Sequence, residues 1–412
     1  MTDTPKPSGK RGLWIAAMWV AAILASWLGM QRGETPTQAT VDVYVPVEPI
    51  TRKPLGALGP SAPMQFRGDR RHTGRSAFVG PARSAIRWKH DLNARVTAQP
   101  VADAYGNVYV GTHAGTLWAF NSEGIPLWQR DLGARIYAAA LIDSEGAIFV
   151  GTDGRGFFGL DQKGNVRFSI ATRDDADTPA SLARDGTLRF AAGRTLRAID
   201  AKGTVLWTFD AGGKVFTAVT LDDDGSAFFG AQDDHVYGVD AKGKLLFRYK
   251  TNADVDVAPV LADDGTLYVG SDDQHVYCLT RDGALGWATR LEGHVRGALA
   301  LGTDNTLLAT HSGPRGALVG LDRATGEKRF RFAFGLTDHI DSGVRGGPLV
   351  DAEGAIYVGA DDDYLHALTR EGKLRWALPV GSDLEASPIL SADGTLYVVS
   401  IEGVVFAVGG NE

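Results

Sequence analysis

The chain has 412 residues, 44% of them hydrophobic and 22% charged, with a formal net charge of −7. That balance is ordinary for a folded protein and suits two average domains or one repeat architecture. The negative charge argues against a nucleic-acid partner, which asks for a basic face, and the single cysteine, Cys278, excludes an internal disulfide framework.

In chain order, residues 1–12 carry Lys6, Lys10 and Arg11 ahead of an uncharged stretch at residues 13–30, LWIAAMWVAAILASWLGM. As a helix this stretch would extend about 27 Å, close to a bilayer core of about 30 Å. Arg32 and Glu34 behind it cancel, so the positive flank sets the N-terminus in the cytoplasm. Trp14 and Trp27 sit near its two ends, where interfacial indoles are common. The expectation is a cytoplasmic tail (1–12) and one transmembrane signal anchor (13–30). The remainder would then lie on the extracytoplasmic, periplasmic side of a bacterial cytoplasmic membrane. A cleaved signal peptide is the alternative, but the apolar run is long for one and no convincing A-x-A site follows. No Cys follows the run to carry a lipid.

Residues 31–63 contain Pro36, Pro46, Pro49, Pro54, Pro60 and Pro63 and read as an extended, semi-rigid linker. Residues 64–78, MQFRGDRRHTGRSAF, are aromatic and basic and are expected to pack on the domain that fills 64–412. That domain repeats one unit, seen clearly in residues 214–250, KVFTAVTLDDDGSAFFGAQDDHVYGVDAKGKLLFRYK. Short apolar runs between Asp-Gly and Lys-Gly turns read as a four-stranded antiparallel meander. An aromatic recurs at Trp88, Trp128, Phe168, Trp207, Phe247, Trp287, Phe330 and Trp376, with spacings of 40, 40, 39, 40, 40, 43 and 46. A period near forty marks propeller blades or a solenoid. The last unit, 384–408, stops before its aromatic strand, while the strand around Trp88 lacks three predecessors. Joining the two completes the set without an open sheet edge. The fold expected is all-β: an eight-bladed β-propeller of four-stranded antiparallel blades, its last blade closed by the N-terminal Trp88 strand, preceded by one transmembrane helix.

Units of the form PVxADDGTLYVGSxDxxVYxLxxxGxLxW, together with the aromatic docking positions, resemble the pyrroloquinoline-quinone (PQQ)-type propeller repeat over about 64–408. That family holds large quinoprotein dehydrogenases and non-catalytic propellers, such as the lipoprotein of the outer-membrane β-barrel assembly machine. The resemblance implies fold far more than function. In the enzymes it implies PQQ with calcium at the propeller axis, and in many of them a vicinal Cys-Cys pair. One cysteine cannot make that pair, and no Glu/Asn/Asp calcium set maps onto this chain residue by residue. Neither PQQ nor calcium is therefore expected.

In such a propeller the loops between blades and between the middle strands share one face. It gathers six of the nine histidines, among them His235, His275, His294 and His339, which are candidate contacts for a protein partner. The longest connection, at 333–345, lies there too. The opposite face, with its ADDG, DAKG and TRDG turns, is expected to be solvated, and its Asp-rich turns are explained by turn geometry before calcium. The small residue of each third strand, Cys278 in the fifth unit and Gly or Ala elsewhere, is expected to pack tightly between blades. Nine residues before each first turn Gly or Asn stand Thr97, Tyr137, Asp177, Phe216, Asp256, Arg296, Arg345 and Glu385. These should ring the mouth of the central channel. They could pair among themselves around water, hold a polar ligand or peptide, or supply an acid–base pair, although no nucleophile or metal set accompanies them. The expected function is a non-enzymatic, membrane-anchored protein-binding scaffold, with a monomeric propeller, in envelope assembly. A quinoprotein-type or other enzyme, or a small-ligand sensor, using the channel mouth is the alternative.

Overall fold

The computed structural model describes residues 64–154, 156–313, 316–335 and 345–409. The expected anchor and linker, and most of the long 333–345 connection with His339, lie outside the described residues. Within them every regular element is a strand, 32 in all, arranged as eight four-stranded antiparallel sheets. The fourth blade is typical: Thr220–Leu221, Ala227–Ala231, His235–Val239 and Leu245–Lys250 pair in chain order from the axis outward. The eighth sheet joins Ile389–Leu390, Leu396–Val399 and Val404–Val408 to Ile86–Asp91 from the start of the ring, with Trp88 opposite Ala407.

Local chemistry explains the strand spacing. At the turn between third and fourth strands, an Asp carboxylate accepts two backbone N–H groups; Asp240 takes those of Lys242 and Lys244 at 2.9 and 2.8 Å. The following Gly243 adopts φ 81°, which favours glycine. The aromatic of one blade then docks on that turn in the next blade. Trp207 Nε1 donates to the Ala241 carbonyl at 2.8 Å, and Trp88, Trp128 and Trp287 repeat the bond at 2.9, 2.9 and 3.0 Å. A Cβ on Gly243 would stand 2.6 Å from Trp207 Cε3. Gly243→Ala is therefore expected to cost about 2 kcal/mol, from backbone strain and overpacking together. Chemical denaturation against the parent protein checks it.

The small position of the third strand answers to its own blade. A Cβ on Gly238 would lie 2.4 Å from Phe247 Cε1, and Cys278 stands opposite Trp287 within one sheet. The packing expected between blades is thus set first within each blade. Cys278 is buried, and burial pushes its thiol up to about 11, so it stays protonated and unreactive.

Residues 64–80 do not merely rest on the domain. They run as a strap past the innermost strands of blades two to seven, in blade order. The second residue of each such strand would otherwise present an unpaired edge N–H to the channel. Ile142 N donates to Met64 O at 2.8 Å, Leu221 N to Arg70 O at 2.7 Å and Leu261 N to Arg71 O at 3.0 Å. Leu301 N donates to Thr73 O and Val350 N to Gly74 O, both at 2.8 Å, while Leu182 N finds the side-chain Oε1 of Gln65 at 3.1 Å. Two strap side chains are buried beneath the ring. Arg67 Nη2 donates to the Leu299 carbonyl at 3.0 Å and also to that of Pro348. His72 Nδ1 lies 2.9 Å from Thr220 Oγ1.

The opposite face is solvated as expected, with the Asp263 side chain 97% exposed, and the strap reaches its acidic turns. Arg71 bridges Asp263 at 2.6 Å, Asp223 at 3.2 Å and Asp222 at 3.3 Å, and Arg70 reaches Asp223 at 2.5 Å. The DDDGS and ADDG turns of blades four and five are thereby tied to the strap. The strap ends at Pro81, whose carbonyl accepts Trp376 Nε1 at 3.2 Å. Blade eight draws its outer strand from the chain's other end, so it has no third-to-fourth hairpin, and Pro81 supplies the docking carbonyl in its place.

Candidate binding site at the channel mouth

Each chain segment that enters a blade descends the channel with the two-residue period of a strand, so every second residue faces the axis. Thr97, Tyr137, Asp177, Phe216, Asp256, Arg296, Arg345 and Glu385 all line one cavity of about 470 Å³. Two residues deeper the lining is mostly small: Ala139, Pro179, Ala218, Ala258 and Ala298, with Gln99 and Ser387 as the polar exceptions. Phe66 of the strap completes the far end. The strap bonds the inner strands below this second layer, so the cavity faces the mouth and is floored by the chain itself.

Two residues before the first ring the same period gives an outer ring, of which the sequence pattern marked only His294: the others are Arg95, Arg135, Asp175, Lys214, Asp254 and Asp383. Their carbonyls tie each entering segment to the loop between the second and third strands of the blade it enters. Asp153 N donates to Arg135 O at 2.8 Å, Gln232 N to Lys214 O at 2.9 Å and Asp272 N to Asp254 O at 3.0 Å. Asp153 also lines the cavity.

Charge is unevenly spread around the mouth. Lys214 Nζ donates to Asp175 Oδ2 at 2.9 Å, lies 3.7 Å from Asp177 Oδ2, and sits 4.1 Å from the centre of the Phe216 ring. A hydrogen bond with Asp175, then burial, raises the Asp153 carboxyl above its usual range, whereas the Lys214 ammonium lowers Asp175. Burial raises Asp177. Burial, with Asp272 and Asp254 nearby, pushes Asp256 up to about 6. The guanidinium of Arg296 is held by Asp272, with contacts of 2.9, 3.1 and 2.6 Å. Glu385 Oε1 lies between Arg345 at 3.7 Å and Arg95 at 3.8 Å. Across the ring Tyr137 packs on His113, ring centres 4.5 Å apart, and His113 Nε2 meets Thr97 Oγ1 at 2.9 Å.

The structure thus brings the eight channel-mouth residues together. Of the histidines singled out on this face, the three among the described residues are half-buried, each Nδ1 set against a loop carbonyl. His235 meets Asp233 O at 2.6 Å, His275 meets Asp273 O at 2.9 Å, and His294 meets Asp272 O at 2.5 Å. Their rings buttress the mouth, each leaving Nε2 for other contacts.

With this geometry in place, comparison with known proteins is informative. The sequence matches the PQQ-type repeat family described as outer membrane protein assembly factor BamB, in three stretches: 77–194, 192–331 and 314–411. The chain belongs to that PQQ-type propeller family. No curated protein matches it. Among solved structures, BamB from Moraxella catarrhalis superposes with a TM-score of 0.66 at 17% identity, over 80% of this chain and 100% of that one. The quinohemoprotein alcohol dehydrogenase from Comamonas testosteroni gives 0.71 at 13% identity, over 84% and 81%. The computationally designed Ika8 protein gives 0.65 at 15% identity, over 78% and 98%. These likenesses establish the propeller fold. An assembly factor, an enzyme and a designed protein share it, so within the PQQ-type family function has to be argued from the site.

Proposed function

We propose that this PQQ-type propeller is a non-enzymatic binding scaffold, held by residues 13–30 in the cytoplasmic membrane with its ring on the periplasmic side, where it receives a protein partner on the channel-mouth face during envelope assembly. The observation that carries the proposal is the one-sided build of the ring. The strap is bonded across the far face, while the mouth face keeps a polar cavity rimmed by loops. Rigid scaffolds commonly place recognition on such loops. The apolar run with its positive N-terminal flank, followed by the proline-rich residues 31–63, supports a tether of this kind.

PQQ and calcium have no part in the proposed function. The quinone is a tricarboxylate, and the wall it would meet carries Asp153, Asp175, Asp177, Asp256 and Glu385 against Arg296 and Arg345. Arg296 is already engaged by Asp272, so a trianion would find repulsion where it needs cations. No reaction step is derived through the group.

Photo-crosslinking in cells tests the scaffold role. A photoreactive residue at Arg345, on the mouth, should yield one discrete adduct, and one at Lys202, on the far face, none. Adducts from Lys202 alone would reverse the choice of face. Dye-linked alcohol oxidation by the purified protein, after loading with PQQ and calcium, would replace the scaffold by an enzyme.

A further inference from the structure

We propose that the cavity is a seat for an organic cation, an ammonium or guanidinium group held between Asp177 and Asp256 beside the ring of Phe216. The proposal deepens the binding role assigned above to the mouth face and rests on it.

Two kinds of demand converge in the cavity. The first is for hydrogen-bond donors. Gln99 is 5% exposed, lines the cavity, and its Oε1 is buried without a partner. Asp177 Oδ1 is likewise buried without one, its side chain 11% exposed. Both are acceptors, and a buried acceptor left unmatched carries a desolvation cost; neither oxygen is open to the cavity as it stands, so a small turn of each side chain would bring it to a ligand donor. The second demand is for positive charge. Among the described residues Asp256 has one hydrogen-bond partner, Gln232 Nε2 at 3.4 Å, and it forms no ion pair. The groups that face it are Asp254, Asp272 and Arg296, and Arg296 is taken by Asp272. Among the described residues Asp177 has one ion-pair partner, Lys214 at 3.7 Å.

Phe216, from the blade between those of Asp177 and Asp256, offers an aromatic face, which attracts cations through its quadrupole. The protein contains its own example. The Lys214 ammonium rests over Phe216 at 4.1 Å and is anchored by Asp175. A ligand ammonium or guanidinium would sit beside that ring on Asp256, which forms no ion pair among the described residues, and on Asp177, which Lys214 meets only at 3.7 Å. An anion would meet Arg345 beside Glu385 and an Arg296 already bonded, so the charge of the seat selects the sign of its occupant. The group could arrive on a free amine or on a lysine or arginine side chain of the partner. Either source presents the same chemistry.

The full-length protein in detergent, in amine-free phosphate buffer at pH 7.5, is titrated calorimetrically with n-butylammonium, n-butylguanidinium and neutral butyramide. A second arm uses the peptide acetyl-Gly-Gly-Lys-Gly-Gly-amide and its twin acetylated on the lysine. Saturable binding of the cations and not of their neutral counterparts is expected. Asp177→Asn and Asp256→Asn should each weaken it at least about tenfold, without lowering the melting temperature. Asp282→Asn, on the far face, should leave it unchanged. Tighter binding of the lysine peptide than of butylammonium assigns the group to a partner protein, and the reverse assigns it to a free amine. Equal binding of charged and neutral probes, indifference to both Asp substitutions, or a response to calcium chloride (titrated separately in MOPS, since phosphate would precipitate it) with none to any amine would overturn the proposal. Mouth-face cross-links combined with such a result would keep the scaffold role and remove only the cation seat.

Discussion

A chain beginning at Gly80 is expected to be less stable than one beginning at Met64 by on the order of 5 kcal/mol. Six inner-strand N–H groups lose their strap partners, from Ile142 to Val350, each worth about 1 kcal/mol net. Burial of Met64, Phe66 and Phe78 against the blades is lost as well. For a ring of this size that corresponds to a fall in melting temperature of about 7 °C. Arg67→Ala alone should reproduce a large share, about 3 kcal/mol. It removes both of Arg67's bonds to buried carbonyls and leaves Asp69, a buried carboxyl raised chiefly by desolvation, without its neighbouring positive charge. Calorimetric scans of the three proteins decide the matter. A truncated chain melting within about 2 °C of the reference would show that the strap is decoration.

The second large effect is a pH dependence. Burial, reinforced by the positive charge of Arg67, pushes His72 down to about 3, against about 6.5 in an unfolded chain. Below pH 6.5 the unfolded chain takes up a proton that the folded one refuses, so stability falls as the pH drops. At 1.36 kcal/mol per unit, the loss between pH 6.5 and 4 is on the order of 3 kcal/mol. Asp256, raised to about 6, works in the opposite sense. It binds its proton more readily when folded, so the native state gains as pH falls through 6. The total curve mixes the two, and the His72 share is isolated by His72→Gln, which keeps polar atoms beside Thr220 and Ser181 but cannot titrate. The stability difference between parent and variant should shrink, or change sign in favour of the variant, as pH falls from 6.5 to 4. A constant difference across that range would mean that His72 is not held neutral.

Why these features differ in legibility follows from their periodicity. The blade count is legible because Trp88 and its successors recur every forty residues or so, each but Trp376 docking on a glycine turn of the next blade. The channel-mouth residues are legible because a strand's register is fixed by counting. A position nine residues before the turn Gly or Asn reaches the axis in every blade, from Thr97 to Glu385. The outer ring of Arg95, Lys214 and Asp254 lay two residues away on the same period. The strap has no period at all. Its bonds join residues more than a hundred positions apart in most blades, and the burial of Arg67 and His72 depends on carbonyls and hydroxyls contributed by four separate blades. Residues 64–78 show an aromatic and basic segment. Nothing local to them says that the two polar side chains point inward while Arg70 and Arg71 reach the acidic turns. Likewise Asp222, Asp223 and Asp263 have a sufficient explanation as turn residues, which hides their partners on the strap.

The path of the strap also bears on how the ring would carry mechanical load. Tension applied at Met64 cannot act directly on the strand Ile86–Asp91 that closes the eighth blade. It must first peel the chain from blade two, then from blade three, and so on to the Pro81 carbonyl at blade seven. Each step breaks a few bonds in turn, with Arg67 and His72 as the strongest points along the way. The ring seam is the last place to feel the pull, so a propeller tugged from its N-terminal side should lengthen by shedding its strap in short increments before any blade opens.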